Sequence, residues 1–372
     1  MAGRKSTIVI GNKRTEKEKA DFVCSGKQDQ ESINLAIQSL SPDGGRLLLL
    51  EGEYIIDSSV IPNLNNLEIV GQGINRTKIR VSKDFRGAIF QDQSASQDFP
   101  RKGLIIRNMS LDGTSMKKMA MSTKGNFCHS LKNAQFENLH IYNTAATGIG
   151  TDFLINSTIR NNIIENCGES TASTGSAGIG IGTGDDSEEP LIITGNHVRS
   201  CGLAGILLES QKSAEGKFLH HIVSNNVIRE NKQWGILIRG SRRVIINSNM
   251  IVGNSKDGIA LETYFSNPPK DILISNNIVQ GNGFYGISVY SQNAKSIEIL
   301  GNILSENQKG CFYSEMLKDE LSYFANWKDV NNKITGDCHV TGKITLSGLP
   351  SRDPQNLGEL WNDQGTIKIS KG

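Results

Sequence analysis

From Asn225 to Phe312 the apolar positions fall in short alternating runs, and Asn and Gly cut those runs at a regular interval. The segments SNNVIRENKQWGILIRG, NSNMIVGNSKDGIALET, SNNIVQGNGFYGISVYS and LGNILSENQKGCFYS share one pattern. Each has an Asn, an apolar pair, a second Asn five residues after the first, then a Gly leading an apolar run. The first Asn falls at Asn226, Asn249, Asn277 and Asn302, and the Gly at Gly235, Gly258, Gly286 and Gly310. Spacings of 23, 28 and 25 residues between successive first Asn positions are solenoid periods. The runs are β-branched with period two, and no copy holds helical spacing, so the unit is strands and turns. Short strands at a fixed step stack into a parallel β-helix, with coils about 4.8 Å apart. The second Asn of each copy (Asn231, Asn254, Asn282, Asn307) then falls on one line. Side-chain amides there can bond to one another and to the turn backbone. The usual hand of parallel crossovers makes the solenoid right-handed.

Earlier copies follow the same pattern: Asn138 with Gly148, Asn162 with Gly178, and Asn196 with Gly205. The second is stretched by CGESTASTGSAG, and insertions in solenoids gather on one face and often build a groove. Upstream, Ile33, Ala36, Ile37 and Leu40 form an apolar stripe on a helix with Asp29 as its N-cap. The helix is expected to cover the raw edge of the first coil. RLLLLEGEYII reads as two strands around a Gly turn. Residues 315–330 suit a short helix with Leu317, Leu321 and Phe324 on one side, and the tail suits a hairpin across Asp363–Gly365. The expected organisation is an opening and capping segment (1–54), the β-helix (55–314), a helical linker with short strands (315–347) and a C-terminal β module (348–372).

A net charge of +2 gives no field for nucleic acid. No apolar run reaches membrane-spanning length, and the N-terminus does not read as a signal peptide. The chain is therefore expected to be made in a cytoplasm and to stay soluble, without membrane insertion. Six cysteines include no Cys-x-x-Cys. Cys167 and Cys201 hold nearly equivalent places in successive copies, as stacked core thiols or, about 5 Å apart, within disulfide reach.

With the Gly of each strand as origin, the first and third residues after it are apolar and point inward, so the second and fourth point outward. The fourth-residue column reads Asp152, Gly182, Glu209, Arg239, Glu262, Tyr290, Ser314. Glu209 and Glu262 lie two coils apart, about 10 Å at the backbone, within reach of the roughly 6.5–9.5 Å of an inverting glycosidase pair. Arg239 between them is expected to hold both ionised, and with Asp152 they are the candidate catalytic set. Tyr264 and Tyr290 could stack on a sugar or share proton transfer, and Arg242 and Arg243 form a basic corner for an anionic glycan. The same column also reads as cross-strand charge pairs, stabilising by about 0.2–1 kcal/mol each with no substrate. Leu207 and Leu237 are outward apolar residues on adjacent coils, expected to form an exposed interface stripe. Asp185 and Asp186, with Glu188 and Glu189, read either as a solvated acidic loop or as carboxylates for Ca²⁺. The pair His220-His221 is a weak metal pattern.

Three stretches carry resemblances. DFVCSGKQDQESINLAIQSLSPDGGRLLLLEGEYII resembles the opening segment of the pectate-lyase-like β-helix superfamily, which includes polysaccharide-active proteins and phage tailspikes. Gly184-Asp185-Asp186 is similar to the Asp-Asp of β-helix polygalacturonases. The tail residues Gly348, Leu349, Pro350, Asp353, Pro354, Leu360, Trp361, Asn362, Asp363, Gly365, Thr366, Lys368 and Ser370 resemble a short module of phage and prophage virion proteins. These resemblances imply a virion appendage that meets other virion proteins, is homotrimeric, and binds or cleaves a bacterial surface polysaccharide. They equally imply a non-catalytic adhesive fibre; a free polysaccharide lyase or epimerase is a third reading.

Overall fold

In the regular copies two corners of each coil are built from a residue at positive φ followed by a buried Asn. Asn225, Ser248, Asn276 and Gly301 take φ of 55°, 55°, 54° and 60° just before Asn226, Asn249, Asn277 and Asn302. Glu230, Gly253, Gly281 and Glu306 do the same before the second line of Asn residues. The left-handed residue turns the strand, and the next side chain points into the corner, where the backbone would otherwise lack partners. Asn249 shows how the corner is satisfied. Its Oδ1 accepts from the backbone N–H and Nδ2 of Asn226, at 3.0 and 2.9 Å. Its Nδ2 donates to Val223 O, Asn247 O and Asn277 Oδ1. The ladder runs from Asn162 through Asn196 to Asn302, and a second runs through Asn231, Asn254, Asn282 and Asn307. Cys201 and Cys167 are buried free thiols, and the Cys201 N–H donates to Asn231 at the foot of the second ladder.

The computed structural model describes residues 5–85, 87–96, 98–116, 124–168, 176–183, 190–211, 221–316, 333–334 and 349–372. Among them the corners divide every coil between a 21-stranded and a nine-stranded sheet, with a three-stranded sheet beside the early coils. Their ladders are parallel, coil on coil, as in Ile236↔Ile259↔Ile287. This is a parallel β-helix. Its interior is a continuous apolar core in which Ile206, Leu208, Ile236, Ile238, Ile259, Leu261, Ile287 and Val289 are all fully buried. Thr7–Gly11 is already a solenoid strand, stacked on Gly45–Leu49. No helix among the described residues is long and apolar enough to cross a membrane.

The helix Asp29–Ser39 buries Ile33, Ala36 and Ile37. Asp29 is its first residue and not its cap: Gln28 precedes it at φ 52°. The Asp29 carboxylate instead accepts the N–H groups of Gly26 and Ile55, at 2.8 and 2.7 Å, tying the helix to the strand Gly52–Ile56. The tail hairpin pairs Leu360–Asp363 with Thr366–Ile369 around Gln364 and Gly365, both at positive φ. Of the expected helix at 315–330, residues 317–330 lie outside the described residues.

Two registers differ from expectation by one residue. Glu137↔Arg160 and His140↔Ile163 align Asn138 with Asn161, so Leu139 takes the ladder place and its N–H donates to Asn162. In the last coil Gly310 pairs with Tyr285, so Ser314 pairs with Val289 and is buried. Ser314 therefore leaves the outward column.

Candidate functional site

The nine-stranded sheet carries the predicted column in register: Asp152↔Gly182↔Glu209↔Arg239↔Glu262↔Tyr290. Beside it runs a second outward column, Gly150↔Gly180↔Leu207↔Leu237↔Ala260↔Ser288. On the two coils that carry Asp152 and Gly182, three of these four outward positions are glycine. Side chains fold into the space left there. A Cβ on Gly150 would sit 3.0 Å from Lys124 Cδ, and one on Gly182 would sit 2.6 Å from both Asp152 Oδ1 and Gln211 Cγ. The result is a glycine notch filled by the side chains of Lys124, Asp152 and Gln211, with Gln211 bonded to Glu209.

Glu209 is 8% exposed. Its Oε1 accepts from Gln211 Nε2 at 3.3 Å, while its Oε2 is buried with no hydrogen bond among the described residues. Burial pushes this carboxyl's pKa up; Arg239 opposes the shift and Asp152 adds to it. Burial lowers the pKa of Lys124, against the pull of Asp152 and Glu209. His129 Nδ1 stands 3.7 Å from Asp152 Oδ2. Arg239 pairs with Glu262 rather than bridging the two glutamates. Its Nε donates to Glu262 Oε2 at 3.0 Å, and its guanidinium lies 5.9 and 5.8 Å from the rings of Trp234 and Tyr264. Burial and Glu209 raise the Tyr264 hydroxyl. Asp152, Glu209, Arg239, Glu262 and Tyr264 are thus one neighbourhood, split into a paired Arg239–Glu262 half and a half around Glu209, whose carboxyl pKa is raised by burial.

The other predicted residues lie elsewhere. Tyr290 ends the column, its hydroxyl 3.3 Å from Asp257. Arg242 and Arg243 begin a strand of the 21-stranded sheet, where Arg242 is in register with Lys270. Asp185, Asp186, Glu188, Glu189 and His220 lie outside the described residues. Leu207 and Leu237 do point out of the solenoid but are not exposed. They are 1% and 0% accessible, roofed by Leu203, Ala204 and Trp234 in a second apolar cluster. Lys124, His129 and Gln211 were missed. The first two precede the clean repeat and Gln211 lies beyond the fourth-residue column, yet the outward glycines that admit Lys124 and Gln211 were visible as Gly-x-Gly in both coils.

The sequence profile of the family described as rhamnogalacturonase A/epimerase, pectate lyase-like, matches residues 23–260, and that of the right-handed β-helix region matches 214–318. No curated protein sequence matches the chain. Among solved structures, the A-module of a mannuronan C-5 epimerase of Azotobacter vinelandii is similar, with a TM-score of 0.57 at 14% identity over 83% of this chain and 96% of that one. The surface protein and adhesin PfbA of Streptococcus pneumoniae gives 0.54 at 15% over 77% and 84%. ORF18 of Geobacillus virus E2 gives 0.54 at 13% over 79% and 60%. At these identities the likeness establishes the fold, a right-handed parallel β-helix. The profile match spans well over half the chain, which belongs to the rhamnogalacturonase A/epimerase, pectate lyase-like family.

Proposed function

We propose that the outward face of the nine-stranded sheet binds a bacterial surface polysaccharide and cleaves it at the glycine notch. One observation carries this reading: a buried carboxyl with an unpaired oxygen, Glu209, beside a second carboxylate, Asp152, that leans over a glycine toward it. A carboxyl whose pKa is raised by burial is suited to act as a general acid for a glycosidic oxygen. Asp152 is the partner that activates water or attacks the anomeric carbon, the two-carboxylate arrangement of glycoside hydrolysis. Arg239 and Glu262, locked to each other, orient the sugar beside Tyr264 rather than exchange protons.

Lys124 supports a second reading, lyase or epimerase chemistry. A half-buried lysine with a lowered pKa is suited to removing a proton beside a uronate carboxylate. Purified protein with a panel of capsule, teichoic-acid and uronate polysaccharides separates the two. New reducing ends without an unsaturated-uronate absorbance support hydrolysis; the two together support the lyase. Silence in both, with glycan retained on a pull-down, leaves an adhesive fibre or, where proton exchange into the uronate is seen by NMR in deuterated water, an epimerase.

The setting we propose is a phage or prophage particle, with 348–372 as a separate module that meets other virion proteins. Its support is the tail's resemblance to virion modules and the viral origin of one fold neighbour. Assembly is as a homotrimer through Val227, Met250, Ile278 and Ile303, an apolar column on the 21-stranded sheet in which Met250 and Ile303 are 45% and 44% exposed. A second copy fits that column because its side chains repeat at the same coil step.

A further inference from the structure

Beyond Glu209 the same face changes from carboxylates to aromatic rings. Asp257, 1% exposed, accepts from Trp234 Nε1 at 3.1 Å, from the Tyr285 N–H at 3.0 Å and from the Tyr290 hydroxyl at 3.3 Å. One buried carboxylate therefore fixes aromatic residues on the coils before and after its own. Tyr313, from the next coil, stacks on Tyr285 with centroids 4.9 Å apart and planes 18° apart, and tilts against Tyr290 at 5.3 Å. The three tyrosines are half-buried, each partly open to solvent. At their flank Lys256, Phe284 and Lys309 form a column through successive backbone bonds, Phe284 N–H to Lys256 O and Lys309 N–H to Phe284 O. Lys256 Nζ lies 4.1 Å from the Trp234 ring centroid and Lys309 Nζ 3.5 Å from that of Phe284.

We infer that this tyrosine terrace with its two lysines is a second sugar-binding site, which takes an acidic sugar unit of the polysaccharide about 15–20 Å along the solenoid axis from the notch. The inference rests on reading the face as a glycan groove. Aromatic faces pack on the C–H face of a pyranose, and an ammonium beside them pairs with its carboxylate. Because Asp257 already holds the Tyr290 hydroxyl and the Tyr285 ring is stacked on Tyr313, little side-chain order is lost on binding.

The test uses the full chain carrying Glu209→Gln, so that nothing is turned over, titrated calorimetrically with oligogalacturonate and with a neutral gluco-oligosaccharide. The oligogalacturonate is expected to bind, less tightly as salt rises, and Tyr313→Ala or Lys309→Gln to weaken it roughly tenfold. Lys309 is exposed, so its variant keeps the result readable where Tyr313→Ala loosens packing. Unchanged affinity in both variants, or equal binding of the neutral sugar, overturns the terrace and leaves the groove standing. No binding of either sugar before the terrace is altered overturns groove and terrace together.

Discussion

At the scale of single residues, Glu209 sets two expectations. Glu209→Gln should lower any cleavage roughly 10²–10⁴-fold while leaving the fold intact, read from reducing ends and circular dichroism. The same carboxyl should shape stability. Its native pKa is raised, so the native state holds the proton more tightly than the unfolded chain does. Stability from this group is then complete below the ordinary glutamate range and falls as pH rises through the raised value. Glu209→Gln should therefore melt roughly 1–3 °C above wild type at pH 7, with the two converging near pH 4. A constant gap across that range would show that the carboxyl titrates alike in the folded and unfolded chain. For a general acid, cleavage should fall on the alkaline side of the same value. The direction of this shift was not legible in the sequence. The column put Arg239 beside Glu209, but only the folded chain shows Arg239 turned to Glu262 and Glu209 under cover.

At the scale of elements, the corners and the apolar cluster carry the stability. Asn249→Ala would leave the Asn226 backbone N–H, the Asn226 amide and the Val223 carbonyl short of partners inside a dry corner. It should cost about 3 kcal/mol in urea unfolding. Leu207→Ala should cost about 2–4 kcal/mol without changing native mass, because Leu207 fills the second apolar cluster and is not an outer surface. The period of the coils was legible because each corner needs a left-handed residue and a side-chain amide, and few residue types supply them. The registers that went astray were also written in the spacing. First Asn to Gly is nine residues in the regular copies, ten from Asn138 to Gly148 and eight from Asn302 to Gly310. Those are the two places where the structure slips by one. Side chains that reach in from another coil, as Lys124 does over Gly150, follow no period, so no pattern along the chain marks them.

At the scale of the whole molecule, the apolar column of Met250 and Ile303 should govern assembly. Met250→Lys with Ile303→Lys should reduce the native mass to that of one chain, by light scattering, with the melting of the solenoid little changed. An oligomer that survives both changes would place the contact elsewhere. The Asn ladders have a further consequence for evolution. Each rung is made from the same bonds to the rung above and below, so a coil can be added or lost between Glu209 and Lys309 with every corner still satisfied. The separation between the cutting position and the terrace that grips the chain can change only in steps of one coil, about 4.8 Å. The solenoid is a graduated ruler, and the fragment length it releases would be inherited as a whole number of graduations.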